Sequence, residues 1–162
     1  MSIINQFSLL TIGYLYSMST NCYSGVYDGF LPDKRLEKRL ELIMEGLIKS
    51  GTSVVNKTTR NLAHKTATYR ALMNPRFDYT NILDASYAKC AENIDTDHVL
   101  CIQDTTEFNL SGIADKIGKD DVDVGPTTNK KIAGIFCHPM LICSANESKF
   151  YGLAAAEVYN RT

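Results

Sequence analysis

The stretch His98–Asn109, HVLCIQDTTEFN, decides how the chain is expected to fold. Val99, Leu100, Cys101 and Ile102 form an unbroken apolar run. A strand that is apolar on both faces needs cover on both, so the run predicts the central strand of a covered sheet. Polarity then reverses at Gln103-Asp104-Thr105-Thr106-Glu107. A carboxylate at the end of a buried strand sits where a rigid scaffold meets solvent. That position suits a metal ligand or an acid–base group, and Asp104 is the candidate.

Downstream, residues 110–130 combine Gly112, Gly118, Gly125 and Pro126 with Asp115, Asp120, Asp121 and Asp123. As a calcium loop starting at Asp121 the segment fails, because the glycine and the twelfth-position acid fall in the wrong places. It predicts a mobile surface loop. Lys131–Ala145 and Phe150–Asn160 predict two strands, and the short Asn146–Lys149 link makes them an antiparallel hairpin. The pattern stops at Arg161-Thr162 without the crossover helices of a sheet covered on both faces, which leads us to expect a fragment or a truncated product.

Upstream, the chain reads as helical. Asp33 follows Pro32 as an N-cap, and Leu36, Leu40, Ile43 and Leu47 then share one helical face until Gly51 stops it. Lys34, Arg35, Lys38 and Arg39 lie off that stripe, partly balanced by Glu41 and Glu45. Residues 52–61 predict a short helical turn. Asn61–Asn74 predicts a second helix with Leu62, Ala63, Thr66, Tyr69, Leu72 and Met73 inward, ended by Pro75. Asp78 or Thr80 caps a third helix to about Ile94, buried through Ile82, Leu83, Tyr87, Cys90, Ala91 and Ile94. Residues 19–31 read as a loop. Residues 1–17 are too short and too interrupted for a membrane span or a secretory signal. They read equally as residues upstream of a true start at Met18 or as a strand or helix packed on the core.

The composition is globular, with 44% apolar and 22% charged residues over 162. A net charge of −1 conceals an asymmetry. Ten Lys/Arg face four acids between Pro32 and Arg76, whereas seven face thirteen from Phe77 onward. A basic part beside an acidic part suits polyanion binding next to a site that gathers cations. The five cysteines (22, 90, 101, 137 and 143) form no C-x-x-C pair, which favours reduced, mostly buried thiols. The expected fold class is α+β. A 1–30 extension precedes a helical unit at 31–95 and a sheet unit at 96–162.

Several segments, taken in order, resemble the IS4-type (Tn5-like) DDE transposases. Leu31-Pro32-Asp33-Lys34-Arg35-Leu36-Glu37-Lys38-Arg39-Leu40 resembles the family's L-G-D-x-R-x-x-x-R-L start of the first helix. Ala67-Thr68-Tyr69-Arg70-Ala71-Leu72-Met73-Asn74-Pro75 resembles its A-x-Y-R-x-x-x-N-P signature. Ile102-Gln103-Asp104-Thr105-Thr106 resembles the D-T-T strand bearing the first acid of the triad, and His138 fits the next strand. The likeness covers roughly residues 31–160. Pro32 stands where the family has Gly, Ala71 where an aromatic often follows, and there is no Trp.

The resemblance implies a helical DNA-binding domain followed by a ribonuclease-H-like catalytic domain, truncated here before the second Asp and the Glu. It implies cut-and-paste transposition with Mg²⁺ or Mn²⁺, in which two ions activate the attacking oxygen and stabilise the leaving one. Asp104 would be the catalytic, metal-holding acid, oriented by the hydroxyls of Thr105 and Thr106. Arg35, Arg39 and Arg70 match positions in the DNA-binding domain, where guanidinium groups suit phosphates and guanine edges. Lys34, Lys38, Lys57, Arg60 and Lys65 are phosphate neutralisers on this reading. Glu107 reads as an exposed acid and His138 as a supporting residue. The implied partners are double-stranded transposon ends and, in the complete protein, a second subunit on DNA, in the cytoplasm at the nucleoid, with no membrane. A non-catalytic or inhibitory truncated product is the alternative. An unrelated basic three-helix module on an acidic β-domain is a third reading.

Overall fold

The computed structural model describes residues 24–52, 54–59, 61–112, 124–128 and 133–161. The expectations for residues 1–17, Cys22, Arg60 and the acidic run 113–123 lie outside them.

Helix α1 is Lys34–Ser50. Asp33, in extended backbone, accepts the Leu36 N–H at 2.9 Å, satisfying one of the donors a helix start leaves unpaired. Gly51 ends the helix in the left-handed conformation, φ 57°, where a side chain is strained. Leu36, Leu40, Ile43 and Leu47 are buried, as their spacing predicts. The expected balancing of the flanking cations by Glu41 and Glu45 does not form. Glu41 Oε1 instead accepts the Gly25 N–H at 2.6 Å, Glu37 Oε1 accepts the Gly29 N–H at 2.9 Å, and Glu45 pairs with Lys49. Those two backbone bonds pin the 24–31 segment onto α1, so this loop carries Val26, Tyr27 and Leu31 into the core.

After α2 (Val55–Thr58) come α3 (Leu62–Leu72) and α4 (Tyr79–Asn93). In α3 the inward face differs from expectation. Leu62 is 76% exposed, Ala63, Thr66 and Met73 are exposed, and Thr68, Ala71 and Leu72 are buried. Polar and apolar residues are not segregated around this helix, so spacing alone does not choose a side and packing against the core does. In α4 a capping box between Asp78 and Asn81 sets the start. Ile82, Leu83 and Cys90 are buried, but Ala91 and Ile94 are exposed. Ile94 is the C-cap with extended backbone, which turns it off the helical stripe.

The sheet contains β1 (Val99–Gln103), β2 (Thr106–Asn109), β3 (Gly125–Pro126), β4 (Ala133–Ser144) and β5 (Phe150–Tyr159). All pairings are antiparallel and all are to β4. The predicted hairpin is β4–β5. β1 and β2 lie end to end along the other side of β4 in one register, Gln103 opposite Met140 and Thr106 opposite Cys137. Asp104 and Thr105 therefore fall opposite Pro139 and His138. Pro139 has no N–H to give, and the ladder lapses there.

The predicted central strand is corrected. β4 holds the centre, and among the described residues β1 pairs only with β4. Leu100 is 51% and Ile102 45% exposed, and Cys101 is exposed too. The four-residue apolar run is outcompeted by the twelve-residue β4, whose both sides are paired. The buried thiols are Cys90, Cys137 and Cys143, and burial raises the Cys90 and Cys137 thiols above the ordinary range.

The far side of β5 is closed by α4. The Tyr87 hydroxyl accepts the Ala156 N–H at 2.7 Å and donates to the Ala156 carbonyl, and Asn93 Nδ2 donates to the Tyr151 carbonyl at 3.1 Å. One buried cluster joins Tyr27, Leu40, Met44 and Ile82 of the helical part to Leu153 of β5. Leu110 and Thr127, at the described ends of the predicted surface loop, are buried. No helix among the described residues is long and apolar enough to cross a membrane.

Candidate functional site

Asp104 is exposed, in the two-residue lapse between β1 and β2. Side chains alternate along a strand line, so Asp104 falls on the face of Ile102, which is opposite Leu141. Leu141 packs against the helical core cluster.

Its Oδ1 accepts the Thr105 N–H at 2.7 Å. The expected orientation by the Thr105 and Thr106 hydroxyls is not what holds it. Thr105 Oγ1 instead forms a 2.7 Å hydrogen bond with His138 Nδ1 on the opposite face, and in the β4–β5 register His138 stands opposite Glu157. His138 is thereby tied to the side chain of the residue that follows Asp104. Glu107 is a tether: it accepts the Thr128 N–H at 2.8 Å. Its hydrogen bonds with Thr128, side chain first and backbone second, hold its carboxyl below the ordinary range.

A divalent ion of the Mg²⁺ kind takes six oxygens and usually several waters. Asp104 offers one exposed carboxylate. Among the described residues no three His, Cys, Asp or Glu side chains converge into a metal-holding group. These residues therefore do not make a full ion site, although Asp104 can contribute one ligand to it.

On the helices, Lys34, Arg35 and Lys38 are exposed and Arg39 is half-buried, all on α1. Lys34 with Lys38 and Arg35 with Arg39 are spaced one turn apart, so each pair projects to one side. Lys57 on α2 and Arg70 on α3 are exposed, and Lys65 on α3 is half-buried. Among the described residues none of these seven cations is in an ion pair. By contrast, Lys49, Arg76, Lys89 and Lys149 pair with Glu45, Asp33, Glu92 and Asp95. Asp33 was read only as a cap, but it also receives Arg76 at 2.7 Å. Nothing in the local sequence signals that pair, which spans 43 positions.

A groove of about 550 Å³ lies between Leu42, Gly46 and Lys49 of α1 and Thr58, Asn61 and His64. It includes neither Asp104 nor any of those seven cations, and shares with them only the helices α1, α2 and α3. Compared with known proteins, the chain matches no family model and no curated protein.

Proposed function

We propose that this chain is the DNA-holding portion of a cut-and-paste transposase, with Asp104 as the first acid of a two-metal site. One observation carries the reading. Among the described residues Arg35, Arg39 and Arg70, at the family's positions, and Lys34, Lys38, Lys57 and Lys65, taken as phosphate neutralisers, form no ion pair, whereas Lys49, Arg76, Lys89 and Lys149 do. An unpaired cation on a helix surface is available to neutralise phosphate. Support comes from the exposed carboxylate at the first strand line of an antiparallel meander. That is the position a ribonuclease-H-like sheet gives its first acid. Two-metal chemistry needs further carboxylates beside Asp104, so in this reading the described residues grip the duplex and cut it only where those acids are supplied.

The test is a duplex-binding titration by fluorescence anisotropy at moderate salt. Arg39→Ala and Arg70→Ala should each weaken binding several-fold, and Asp104→Ala should leave it unchanged. Equal affinity of both arginine variants and the parent would remove the helices as the DNA reader. In a version carrying the further acids, Asp104→Ala should abolish metal-dependent cleavage while retaining binding.

A further inference from the structure

Helix α3 and its C-cap carry large apolar side chains outward. Leu62, Ala63, Thr66, Arg70 and Met73 are exposed, whereas Thr68, Ala71 and Leu72 are buried. At about 100° per residue, the five exposed positions fall within one sector of about 100° and the three buried ones lie on the opposite side. A surface helix ordinarily turns its large apolar residues to the core. Here Leu62 is 76% and Met73 58% exposed, at the two ends of the outward stripe, with Thr66 between them.

Cations flank that stripe. Around the helix axis, Lys65 lies to one side of the Leu62–Thr66–Met73 line and Arg70 to the other, each roughly 60–80° from its centre. Among the described residues neither forms an ion pair. The sequence gives a second, independent sign. Between Glu45 and Asp78 the chain has six Lys and Arg (49, 57, 60, 65, 70 and 76) and no acid. The first acid of the chain is Asp28, so residues 1–23 hold none with which to answer these cations. An apolar line between two cations matches the major groove of a duplex. That groove admits a helix, presents thymine methyl groups on its floor, and is bounded by the phosphates of both strands.

We propose that α3 is the element that enters the major groove, where Leu62, Thr66 and Met73 read thymine methyl groups while Lys65 and Arg70 hold phosphates of opposite strands. The proposal rests on the DNA-holding reading above and goes beyond it by naming the reading helix and the base feature it reads. From Leu62 to Met73 the helix rises about 16 Å, which faces about five base pairs. The three readers carry no charge, so they set sequence preference and leave the electrostatic part of binding to the cations.

The full chain is used to select duplexes from a randomised library, and binding to the selected motif is then measured by fluorescence anisotropy. The motif should contain A·T pairs. Replacing its thymines by uracil removes only the 5-methyl groups, and should weaken binding of the parent about two- to fivefold per contacted base. Leu62→Ala, Thr66→Ser and Met73→Ala should each become indifferent to that replacement at one position. Their salt slopes should equal the parent's, because no phosphate contact is lost. All three positions are exposed, and circular dichroism checks that the variants fold. Uracil duplexes bound as tightly as thymine duplexes overturn the proposal. So does a motif that all three variants read as the parent does, which would give the stripe to the acidic 113–123 run, a protein or a lipid surface. If Arg35→Ala and Arg39→Ala still lower the salt slope in that case, the DNA-holding reading stands and only the choice of α3 falls. A parent chain that binds no duplex removes both.

Discussion

Asp33 does three things at one position. It caps α1, receives Arg76, and lies beside Arg35. The Leu36 N–H first, and then the Arg76 hydrogen bond, hold its carboxyl below the ordinary 3.8. Asp78 is lowered chiefly by the Thr80 hydroxyl, and Asp95 by Lys149 and then Tyr151. A carboxyl whose folded value is depressed stabilises fully above its unfolded value, and that contribution disappears as pH falls through the folded one. The melting temperature should therefore be level from neutral pH to about 5 and drop below about 4. Asp33→Asn should lose less over that acid interval than the parent, and identical losses in thermal scans would contradict the assignment. Glu37 is a different case. Only 7% exposed, it holds the Gly29 N–H, and Glu37→Ala leaves that donor without its partner. A cost of about 1–3 kcal/mol is expected in urea titration, with Glu37→Gln milder because an acceptor oxygen remains. The sequence showed Glu37 only as a helical acid, since its partner is a backbone group eight residues away.

At the scale of elements, what was legible depended on whether one segment carries its own instructions. α1 does: cap, stripe and terminal glycine all lie within it, and the structure reproduces its bounds and its buried leucines. α4 carries its start, through Asp78 and Asn81, but not its end. β1 carries nothing that tells an edge from a centre, because an apolar run reports what a strand tolerates and not which neighbours it finds. Pairing was decided by β4, and β4 depends on close approach at Gly134. A Cβ there would lie 2.6 Å from both the Phe108 carbonyl oxygen and Thr127 Cγ2. Gly134→Ala should force β2 from its register at a cost of about 1–3 kcal/mol. Gly112→Ala is the control, since nothing lies within 4 Å of its added Cβ. The closed side of the sheet has its own test. Tyr87→Phe removes the hydroxyl that serves both backbone groups of Ala156. It should cost about 1–3 kcal/mol and speed amide exchange along β5, with β1 unchanged. Equal exchange in the two proteins would mean that α4 does not hold that edge.

Across the whole molecule, charge is sorted by position and by partnership. The helical part carries the excess of Lys and Arg, and among the described residues the cations left unpaired there include Arg35, Arg39 and Arg70, which the family likeness singled out. The positions could be read from the sequence, but partnership could not, because Arg76 and Lys149 find their acids 43 and 54 residues away. Asp104 was legible as a polar residue after an apolar run. Its attachment through Thr105 to His138 appears only once β4 lies alongside. The sorting makes a quantitative demand on duplex binding. Each phosphate neutralised releases condensed counterions, so log affinity falls against log salt with a slope of about 0.9 per contact. Arg35→Ala, Arg39→Ala and Arg70→Ala should each reduce that slope by close to one unit, about equally for any duplex sequence where the contact is to phosphate. An arginine that reads a guanine edge would instead lose discrimination at one base pair by ~1–3 kcal/mol. Lys89→Ala supplies the internal standard, because Lys89 is already paired with Glu92 and should leave the slope unchanged. Anisotropy titrations of the four variants between about 50 and 300 mM salt, a span over which such slopes are large, separate the alternatives. A slope that changed as much for Lys89 as for the three arginines would mean that net charge alone governs binding, and that the unpaired helical cations hold no particular phosphates.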